Sequence, residues 1–420
     1  MSEEDLPLTG VKVIELTTAI AGPTCAALLG DYGASVYKVE PPGGDTQRYA
    51  LAGLTKTPSP YQASPAFYQI ARNKKSIVLN LKDNIALKAL HTLLSKADVF
   101  VSNFRLDALR RLGLGPKQMH EAHPGLVICV MTGRGFEGPD ASKPTYDVAG
   151  FWAISGAAHT HRKEGKGFPP MLGPGFGDLT TGMAALGGVT SALYKKSRTG
   201  KGSILTTSLL RTGIYANGWA SSMYFARDRE PRWGVRNHTG NPMSVMYETK
   251  DGKLIQLLGM QSAREWPKLC RAMGWDENNP KYIKGSLRRQ HEKEIVSNLE
   301  LGFASKNRDE WMQILDKEDV WYAPVLNHVE AINDPQSIAS GAFVEYPKGP
   351  ADLNAEKQFD KIRNVAAPVD FMNSKTMKPI HSIRQHVPAV GEHTGEILEE
   401  FGVDSNDISK LVTAEKSSKL

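Results

Sequence analysis

The feature that most constrains this fold is a regular alternation between short β-branched runs and helical patterns across the first 210 residues. Runs of Val, Ile and Thr predict strands, and apolar residues that recur every three or four positions predict helices. Alternation of this kind is typical of a parallel sheet with helices on both faces, so the sequence predicts an α/β fold. The predicted strands are 11–16, 35–39, 76–81, 98–101, 126–131 and 203–207, and the predicted helices are 23–31, 84–96, 106–112 and 178–195.

The composition changes after about residue 225, where loops rich in Arg, Asn and Pro occupy residues 229–242. The block beyond them has one predicted strand and three predicted amphipathic helices, at 254–258, 263–273, 291–301 and 309–315. Many prolines in the last part of the chain favour extended structure, with one predicted helix at 394–401. We therefore predict a large domain, a smaller α+β domain and a C-terminal segment that returns to the large domain, in residues 1–225, 226–345 and 346–420.

The overall composition excludes several classes of function. No run approaches the roughly 20 apolar residues that a membrane-spanning helix requires. A formal net charge of +6 suits anionic small molecules but is too weak at this length to predict nucleic acid binding. The three cysteines, Cys25, Cys129 and Cys270, are too scattered for a disulfide framework or a zinc site. We therefore expect no membrane or nucleic acid partner and no metal.

The last three residues carry a targeting signal. Ser418-Lys419-Leu420 matches the tripeptide that a peroxisomal import receptor reads at the end of a chain. The polar residues 415–417 before it favour a tail that such a receptor can reach. The expected location is the peroxisome, with the import receptor as a partner. In a bacterial cell the tripeptide has no such meaning, and the expected location is then the cytoplasm.

A nucleotide-binding order of elements occurs near the N-terminus without the glycines that such a site needs. Residues 15–38 follow the order strand, loop, helix, strand, but only Gly22 and Gly30 are available for a phosphate loop. The close approach of backbone amides to a pyrophosphate depends on a G-x-G-x-x-G sequence, which is absent here. The sequence therefore predicts no dinucleotide cofactor.

Asp178 is the strongest candidate for chemistry. It ends the glycine-rich sequence 173–178 and begins a long predicted helix, which is rich in Ala and Gly and should pack closely against another backbone. At a helix N-terminus the positive end of the dipole favours an ionised carboxylate. The neighbouring glycines leave room for a substrate carbonyl, so Asp178 could act as a nucleophile. The residues alone leave this role and that of a plain helix N-cap open, and the cap is the commoner of the two.

Several short motifs, in this order and spacing, resemble the family III CoA-transferases over nearly the whole chain. None is specific alone, but together they are. They are PLTGVKVIEL at 7–16, AGP at 21–23, GDYGA at 30–34, VEPPGGD at 39–45, NKKSI at 73–77, ADV at 97–99 with NF at 103–104, TG at 132–133 with FEGP at 136–139, GD at 177–178, TGKG at 199–202, SLL at 208–210 and GEHT at 391–394.

The resemblance implies a Rossmann-like large domain built from both chain ends, a smaller inserted domain, and a dimer of two interlocked, ring-like subunits. It also implies that Asp178 is the nucleophile that attacks an acyl-CoA thioester, forming a mixed anhydride and then an aspartyl-CoA thioester. An acceptor carboxylate then replaces the donor acyl group, and a new acyl-CoA is formed. CoA thioester and carboxylic acid are the implied substrates, and the exchange needs neither a permanently bound cofactor nor ATP.

The resemblance further assigns CoA contacts to residues of the first half of the chain. Lys82 and Arg111 suit the phosphates, because cations with several donors bind phosphate oxygens well. The complete implied set is Ala19, Ile20, Ala21, Leu79, Lys82, Asn103, Phe104, Arg111 and Tyr146.

Three departures separate this chain from the formyl-CoA:oxalate branch of the family. That branch has a glutamine where this chain has Ile20, and a run of glycines in place of residues 257–261. It also has basic residues where this chain has Pro41 and Pro144. We therefore expect an acid that is less polar or longer than oxalate, and a partly different grip on CoA.

The sequence leaves two alternative functions open. The resemblance extends to α-methylacyl-CoA racemase, whose His-Asp-x-Asn-Tyr motif supplies a catalytic base. Tyr146 occupies the position of that histidine, and a phenol, with a reference pKa near 10, is a poor base at neutral pH. This position favours a transferase. A non-catalytic CoA-binding protein is the second alternative, but it would not need to keep Asp178 and its glycines.

Overall fold

The chain divides into two compact units. The computed structural model describes residues 6–50, 64–162, 167–229, 241–347, 361–380 and 383–417. The first unit comprises Met1–Ala157, Met171–Ser221 and Gly341–Leu420, and the second comprises Ala158–Pro170 and Ser222–Ser340. Within the described ranges, no helix has the length and apolar character needed to cross a membrane. The predicted targeting tripeptide, residues 418–420, lies outside the described residues.

A six-stranded sheet forms the centre of the first unit. Every neighbouring pair of its strands is parallel, which confirms the predicted α/β fold. The strand order is β3-β2-β1-β4-β5-β6, so the direction of strand addition reverses between β1 and β4. In sheets of this kind the crevice at that reversal is where ligands bind. The strands are β1 (Lys12–Leu16), β2 (Ser35–Glu40), β3 (Lys74–Val78), β4 (Val99–Ser102), β5 (Val127–Thr132) and β6 (Ser203–Ser208).

Helices cover both faces of this sheet, because successive strand residues point to opposite sides. Val13 and the strand residues on the same face of the sheet pack against α1 and α7. Ile14 and the strand residues on the opposite face pack against α3, α4, α5, α16 and α17. The helices of the unit are α1 (Ala21–Asp31), α2 (Pro65–Ala71), α3 (Asn84–Ser95), α4 (Leu106–Arg111), α5 (Pro116–Ala122), α7 (Phe176–Thr199), α8 (Leu209–Ala216), α16 (Thr394–Glu400) and α17 (Ser405–Ser417). The boundary between the units falls within α6 (Ala157–Thr160) and α9 (Gly218–Arg227).

The Ala- and Gly-rich helix α7 packs closely against α1, as the sequence predicts. A Cβ atom on Gly182 would lie 2.6 Å from the Thr24 Cβ and 2.8 Å from the carbonyl oxygen of Ala21. No side chain fits at that distance. Glycine is therefore required where the two helices cross.

The second unit is built on a three-stranded antiparallel sheet of order β7-β8-β9. Its core contains Tyr247, Trp266, Phe303 and Trp311, all buried. The strands are β7 (Met246–Glu248), β8 (Leu254–Leu257) and β9 (Tyr322–Val325), and the helices are α10 (Ser262–Met273), α11 (Gly285–Gln290), α12 (Glu292–Phe303), α13 (Arg308–Lys317), α14 (His328–Asn333) and α15 (Pro335–Ala339). An antiparallel pair, β10 (Phe343–Pro347) and β11 (Lys361–Val365), belongs to the first unit.

A cluster of buried charges lies on the α1 face of the first three strands. Lys38 Nζ is 3.1 Å from Glu15 Oε1 and 2.8 Å from Asp45 Oδ2, and Lys74 Nζ is 2.7 Å from Glu15 Oε2. Lys74 Nζ also donates to the carbonyl oxygen of Pro23 in α1 at 2.9 Å. Burial lowers the pKa of Lys74 to about 8, whereas Glu15 and Asp45 outweigh burial and raise the pKa of Lys38. The opposite charges thus compensate one another inside the protein.

The structure contains several elements that the sequence does not predict, among them α2, α5 and β9, and two of the differences have identifiable reasons. The strand predicted at 76–81 is β3, which begins at Lys74 and ends at Val78. Lys74 is fully buried through its ion pair with Glu15, a tertiary contact that a polarity pattern does not reveal. The C-terminal part also contains α17, which the sequence does not predict. Its apolar residues are sparse, and Leu411 becomes buried only against the core beneath α3.

Replacing Lys38 by Met should lower the free energy of unfolding by about 3–5 kcal/mol, because it leaves Asp45 buried without its cation. Urea denaturation of the wild type and the variant measures the difference. Lys88→Met is the matched control: Lys88 is 73% exposed in its ion pair with Asp407, and an exposed pair contributes less than about 1 kcal/mol. Equal losses for the two variants would contradict a special role for the buried cluster.

Candidate active site

Two loops meet at the crevice between β1 and β4 and hold each other in place. The Thr18 backbone N–H donates to Asn103 Oδ1 at 2.9 Å, and Asn103 Nδ2 donates back to the Thr18 carbonyl oxygen at 2.7 Å. The next residue, Ala19, has a φ of 59°, in the left-handed region. That conformation costs a residue with a side chain about 1–2 kcal/mol, and such strain clusters at functional sites.

A cavity of about 440 Å³ opens beside these loops. Most of the predicted site residues border it, although they come from four separate stretches of sequence. Those that line it are Ala19, Ala21, Asn103, Phe104, Tyr146 and Asp178. The fold therefore brings the candidate nucleophile and much of the predicted CoA surface to one place.

Asp178 does not cap its helix, so the N-cap interpretation is wrong. Helix α7 begins two residues earlier, at Phe176, and its N-cap is Gly175, with a φ of 79°. Gly177 packs so closely that a Cβ atom there would lie 2.5 Å from the Phe151 Cβ. Within the described parts of the chain, no hydrogen bond or ion pair engages the Asp178 carboxylate. Its oxygens therefore remain available to a substrate.

The electrostatic setting of Asp178 also differs from expectation. Burial, reinforced by the nearby Asp147, raises the pKa of Asp178 to about 7. Burial and Asp147 thus act against the ionisation that the helix dipole is expected to favour. Asp147 is itself buried, at 8% exposure; its Oδ1 accepts from the Val148 N–H at 2.7 Å, and its Oδ2 has no partner among the described residues.

Cations line another part of the cavity. Arg105, the residue that precedes α4, borders both this cavity and an adjoining one of about 220 Å³, which Arg110 and Arg111 also line. Arg110 pairs with Asp107 at 3.0 Å, whereas the side chains of Arg105 and Arg111 have no partner in the described ranges. Unpaired guanidinium groups at a concave surface suit the phosphates of an anionic ligand.

Three predicted contact residues do not border either cavity. Ile20 is the N-cap of α1 and packs on Gly175. Leu79 is 2% exposed and belongs to the core beneath the sheet. Lys82 is exposed just after β3. Their roles in binding CoA stay predictions.

The sequence reasoning missed several residues of the site. Thr18, Thr181, Arg105 and Lys143 line the cavity, and Asp147 acts on Asp178. Thr18 and Arg105 directly adjoin predicted residues, so extending each motif by one position would have found them. Asp147 likewise adjoins a predicted residue, Tyr146, but its position in the sequence does not indicate that it acts on Asp178, 31 positions later. Among the described residues, no group of three or more His, Cys, Asp or Glu side chains could hold a metal ion.

Comparison with known proteins agrees with the resemblance. The sequence model of CoA-transferase family III matches residues 8–394. The (R)-2-hydroxy-4-methylpentanoate CoA-transferase of Clostridioides difficile is 32% identical, over 96% of this chain and 98% of the relative. The human succinyl-CoA:glutarate CoA-transferase is 30% identical, over 97% and 89%. A crystal structure of a CAIB/BAIF family protein from Brucella suis, 25% identical, superposes with a TM-score of 0.78 over 94% of this chain and 99% of its own.

The resemblance inferred from the short motifs is thus confirmed, since both sequence relatives are named as transferases of CoA and match nearly the full length of the chain. The chain belongs to CoA-transferase family III, and its activity is CoA transfer.

Proposed function

We propose that the chain moves CoA from an acyl-CoA donor to a carboxylic acid acceptor through covalent intermediates on Asp178. The observation that carries this proposal is a half-buried carboxylate, not engaged by any described residue, in the first turn of α7. It faces a cavity that also reaches the unpaired guanidinium of Arg105. Such a cavity offers a nucleophile for a thioester and cations for the phosphates of CoA.

The proposed cycle begins when an Asp178 oxygen attacks the thioester carbonyl carbon. The C–S bond breaks, which gives an aspartyl anhydride and free CoA thiolate. The thiolate then attacks the aspartyl carbonyl carbon and releases the donor acid as its carboxylate, leaving an aspartyl-CoA thioester. An acceptor carboxylate attacks the aspartyl carbonyl carbon of that thioester, which breaks the C–S bond and gives a second anhydride and free CoA thiolate. The thiolate then attacks the acceptor carbonyl carbon of this anhydride and forms the new acyl-CoA. Asp178 is regenerated as a carboxylate.

Two helix N-termini border the place where this chemistry would occur. Ala21, in the first turn of α1, and Asp178, in the first turn of α7, both line the cavity. The backbone N–H groups of a first turn lack partners within their helix and carry partial positive charge. They are suited to stabilise the oxyanion that forms when a thioester carbonyl is attacked.

A covalent adduct on Asp178 is the direct test. Incubation with a panel of acyl-CoA donors should add a donor-dependent mass to the intact protein, and hydroxylamine should convert the adduct to an aspartyl hydroxamate. Asp178→Asn should abolish the adduct because the amide is not a nucleophile. Asp309→Asn, which changes a 79% exposed aspartate, should leave it unchanged.

The alternatives make different predictions in the same assay. A racemase would form no adduct but would exchange the α-proton of a methyl-branched acyl-CoA for deuterium. A non-catalytic protein would bind CoA and do neither. Either outcome would refute the proposed mechanism.

The pKa of Asp178 predicts how the reaction depends on pH. Since the nucleophile is the carboxylate and its pKa is about 7, kcat/KM should fall about tenfold per pH unit below that value and level off above it. Asp147→Asn removes the neighbouring negative charge, lowers the pKa of Asp178 and should move the acid limb to lower pH. Initial rates between pH 5 and pH 9 test both statements. An unshifted limb in Asp147→Asn, or an equal shift in Asp309→Asn, would contradict them.

We further propose that the chain functions as a homodimer of interlocked subunits. The support in this chain is a surface of large apolar side chains on α8 and α9, where Tyr215 is 87% exposed and Trp219 is 76% exposed. Contiguous exposed apolar residues of this size mark interaction surfaces.

Light scattering should therefore give twice the chain mass of 46.0 kDa at every dilution, because linked rings cannot separate without unfolding. Two differently tagged preparations should form no mixed dimers on mixing, and should form them after joint denaturation and refolding. Monomers on dilution, or mixed dimers without denaturation, would contradict interlocking.

A further inference from the structure

We infer that the acyl group handled at Asp178 is apolar and carries no second carboxylate. This inference rests on the proposed function and specifies its substrate class. It follows from two features of the surroundings of Asp178: the apolar side chains near this residue, and the negative charge of the neighbouring Asp147.

Three side chains, here called the apolar rim, lie near Asp178: Ile20 and Phe176 at the start of α7, outside the cavity lining, and Tyr146 on the cavity itself. Ile20 packs on the N-cap residue, and its Cδ1 lies 3.1 Å from the position that a Cβ atom on Gly175 would occupy. Phe176, the first residue of α7, is 55% exposed and meets the Phe151 ring edge-on at a centroid distance of 6.1 Å. Tyr146 is 78% exposed and lines the same cavity as Asp178. Exposed apolar surface beside a reactive group suits an apolar substrate group.

The charge near Asp178 is negative. Burial and Asp147 raise the pKa of Asp178, and no described lysine or arginine counteracts them. Asp147 also presents a buried oxygen without a partner among the described residues. A second carboxylate on the acyl group would meet this charge in a poorly solvated place with no cation to pair with, which is strongly unfavourable.

The cations of the cavity are committed elsewhere. Lys143 Nζ pairs with Asp140 Oδ1 at 2.7 Å. Arg105 lines the same cavity as Asp178 and also borders the adjoining one with Arg110 and Arg111; the proposed function assigns this guanidinium to the phosphates of CoA. With Lys143 paired and Arg105 assigned to CoA, neither cation pairs with a second carboxylate on the acyl group. The apolar rim is then the feature that distinguishes one acid from another.

A pair of donors with matched shapes tests this inference. The terminal isopropyl group of 4-methylpentanoyl-CoA and the terminal carboxylate of succinyl-CoA occupy nearly the same volume and differ in charge. The rate of adduct formation on Asp178 is measured separately with each donor by rapid quench and hydroxylamine trapping. For the wild type we expect 4-methylpentanoyl-CoA to react at least about 100-fold faster, as an unpaired carboxylate near Asp147 is unfavourable by several kcal/mol.

Ile20→Lys places a cation in the apolar rim and should reduce this ratio at least about tenfold, by favouring the succinyl donor and disfavouring the apolar one. Ile20→Gln adds polarity without charge and should reduce the ratio less than the lysine variant does. It replaces Ile20→Lys in the test if that variant does not fold. Ile20→Met keeps an apolar side chain and should preserve the ratio. Ile338→Lys, at a 53% exposed isoleucine of α15, controls for added charge and should also preserve it.

The outcomes separate this inference from the proposed function. Adducts that form from both donors at similar rates, or a ratio that does not respond to a lysine at position 20, would overturn the inference alone. The absence of any adduct from either donor would overturn the proposed function, and the inference with it.

Discussion

The candidate site depends on a set of opposite charges buried beneath α1. Glu15, Lys38 and Asp45 do more than neutralise one another, because their remaining polar atoms hold the loop that follows β1. Glu15 accepts from the Thr17 hydroxyl at 2.6 Å, Lys38 Nζ lies 3.4 Å from the Thr17 carbonyl oxygen, and Asp45 accepts from the Thr18 hydroxyl at 3.3 Å. Buried ion pairs are weak evidence for stability, since desolvation offsets their attraction. Here their consequence is geometric: they position the loop that borders the cavity.

The position of Asp178 depends on a second constraint, the close approach of backbones. A Cβ atom on Gly177 would overlap Phe151, and one on Gly213 in α8 would lie 2.2 Å from the Phe151 carbonyl oxygen. Gly182 similarly allows α7 to meet α1. Glycine within a helix costs about 1 kcal/mol relative to alanine. In return, Gly177 and Gly182 let α7 approach Phe151 and α1, and Gly213 lets α8 approach Phe151 from its own side. These contacts determine where the first turn of α7, with Asp178, lies.

The sequence could predict those parts of the protein that follow from local pattern. The alternation of β-branched runs with helical patterns predicts the parallel sheet, and the glycine-rich sequence before a long helix singles out Asp178. Contacts between distant segments were not predictable in the same way. Lys74 looks like a loop residue until Glu15 is placed beside it, and Asp147 looks unremarkable until α7 brings Asp178 close to it. The start of α7 was missed for a related reason: Gly175 supplies the cap through a left-handed backbone, so no capping side chain marks the boundary.

The proposed cycle gives one carboxylate, Asp178, two tasks that make opposite demands on its pKa. In the first step Asp178 must attack a thioester, which a more basic carboxylate does better. In the last step it must be expelled from an anhydride, which a less basic carboxylate does better. Burial and Asp147 raise its pKa, whereas the positive end of α7 acts in the opposite direction. The donor and acceptor acids are also carboxylates, and each must leave or attack in the same cycle. The exchange is fastest when the basicity of the desolvated Asp178 carboxylate is close to that of these acids. Asp147, which acts on Asp178 through its negative charge, is the residue through which that balance is adjusted.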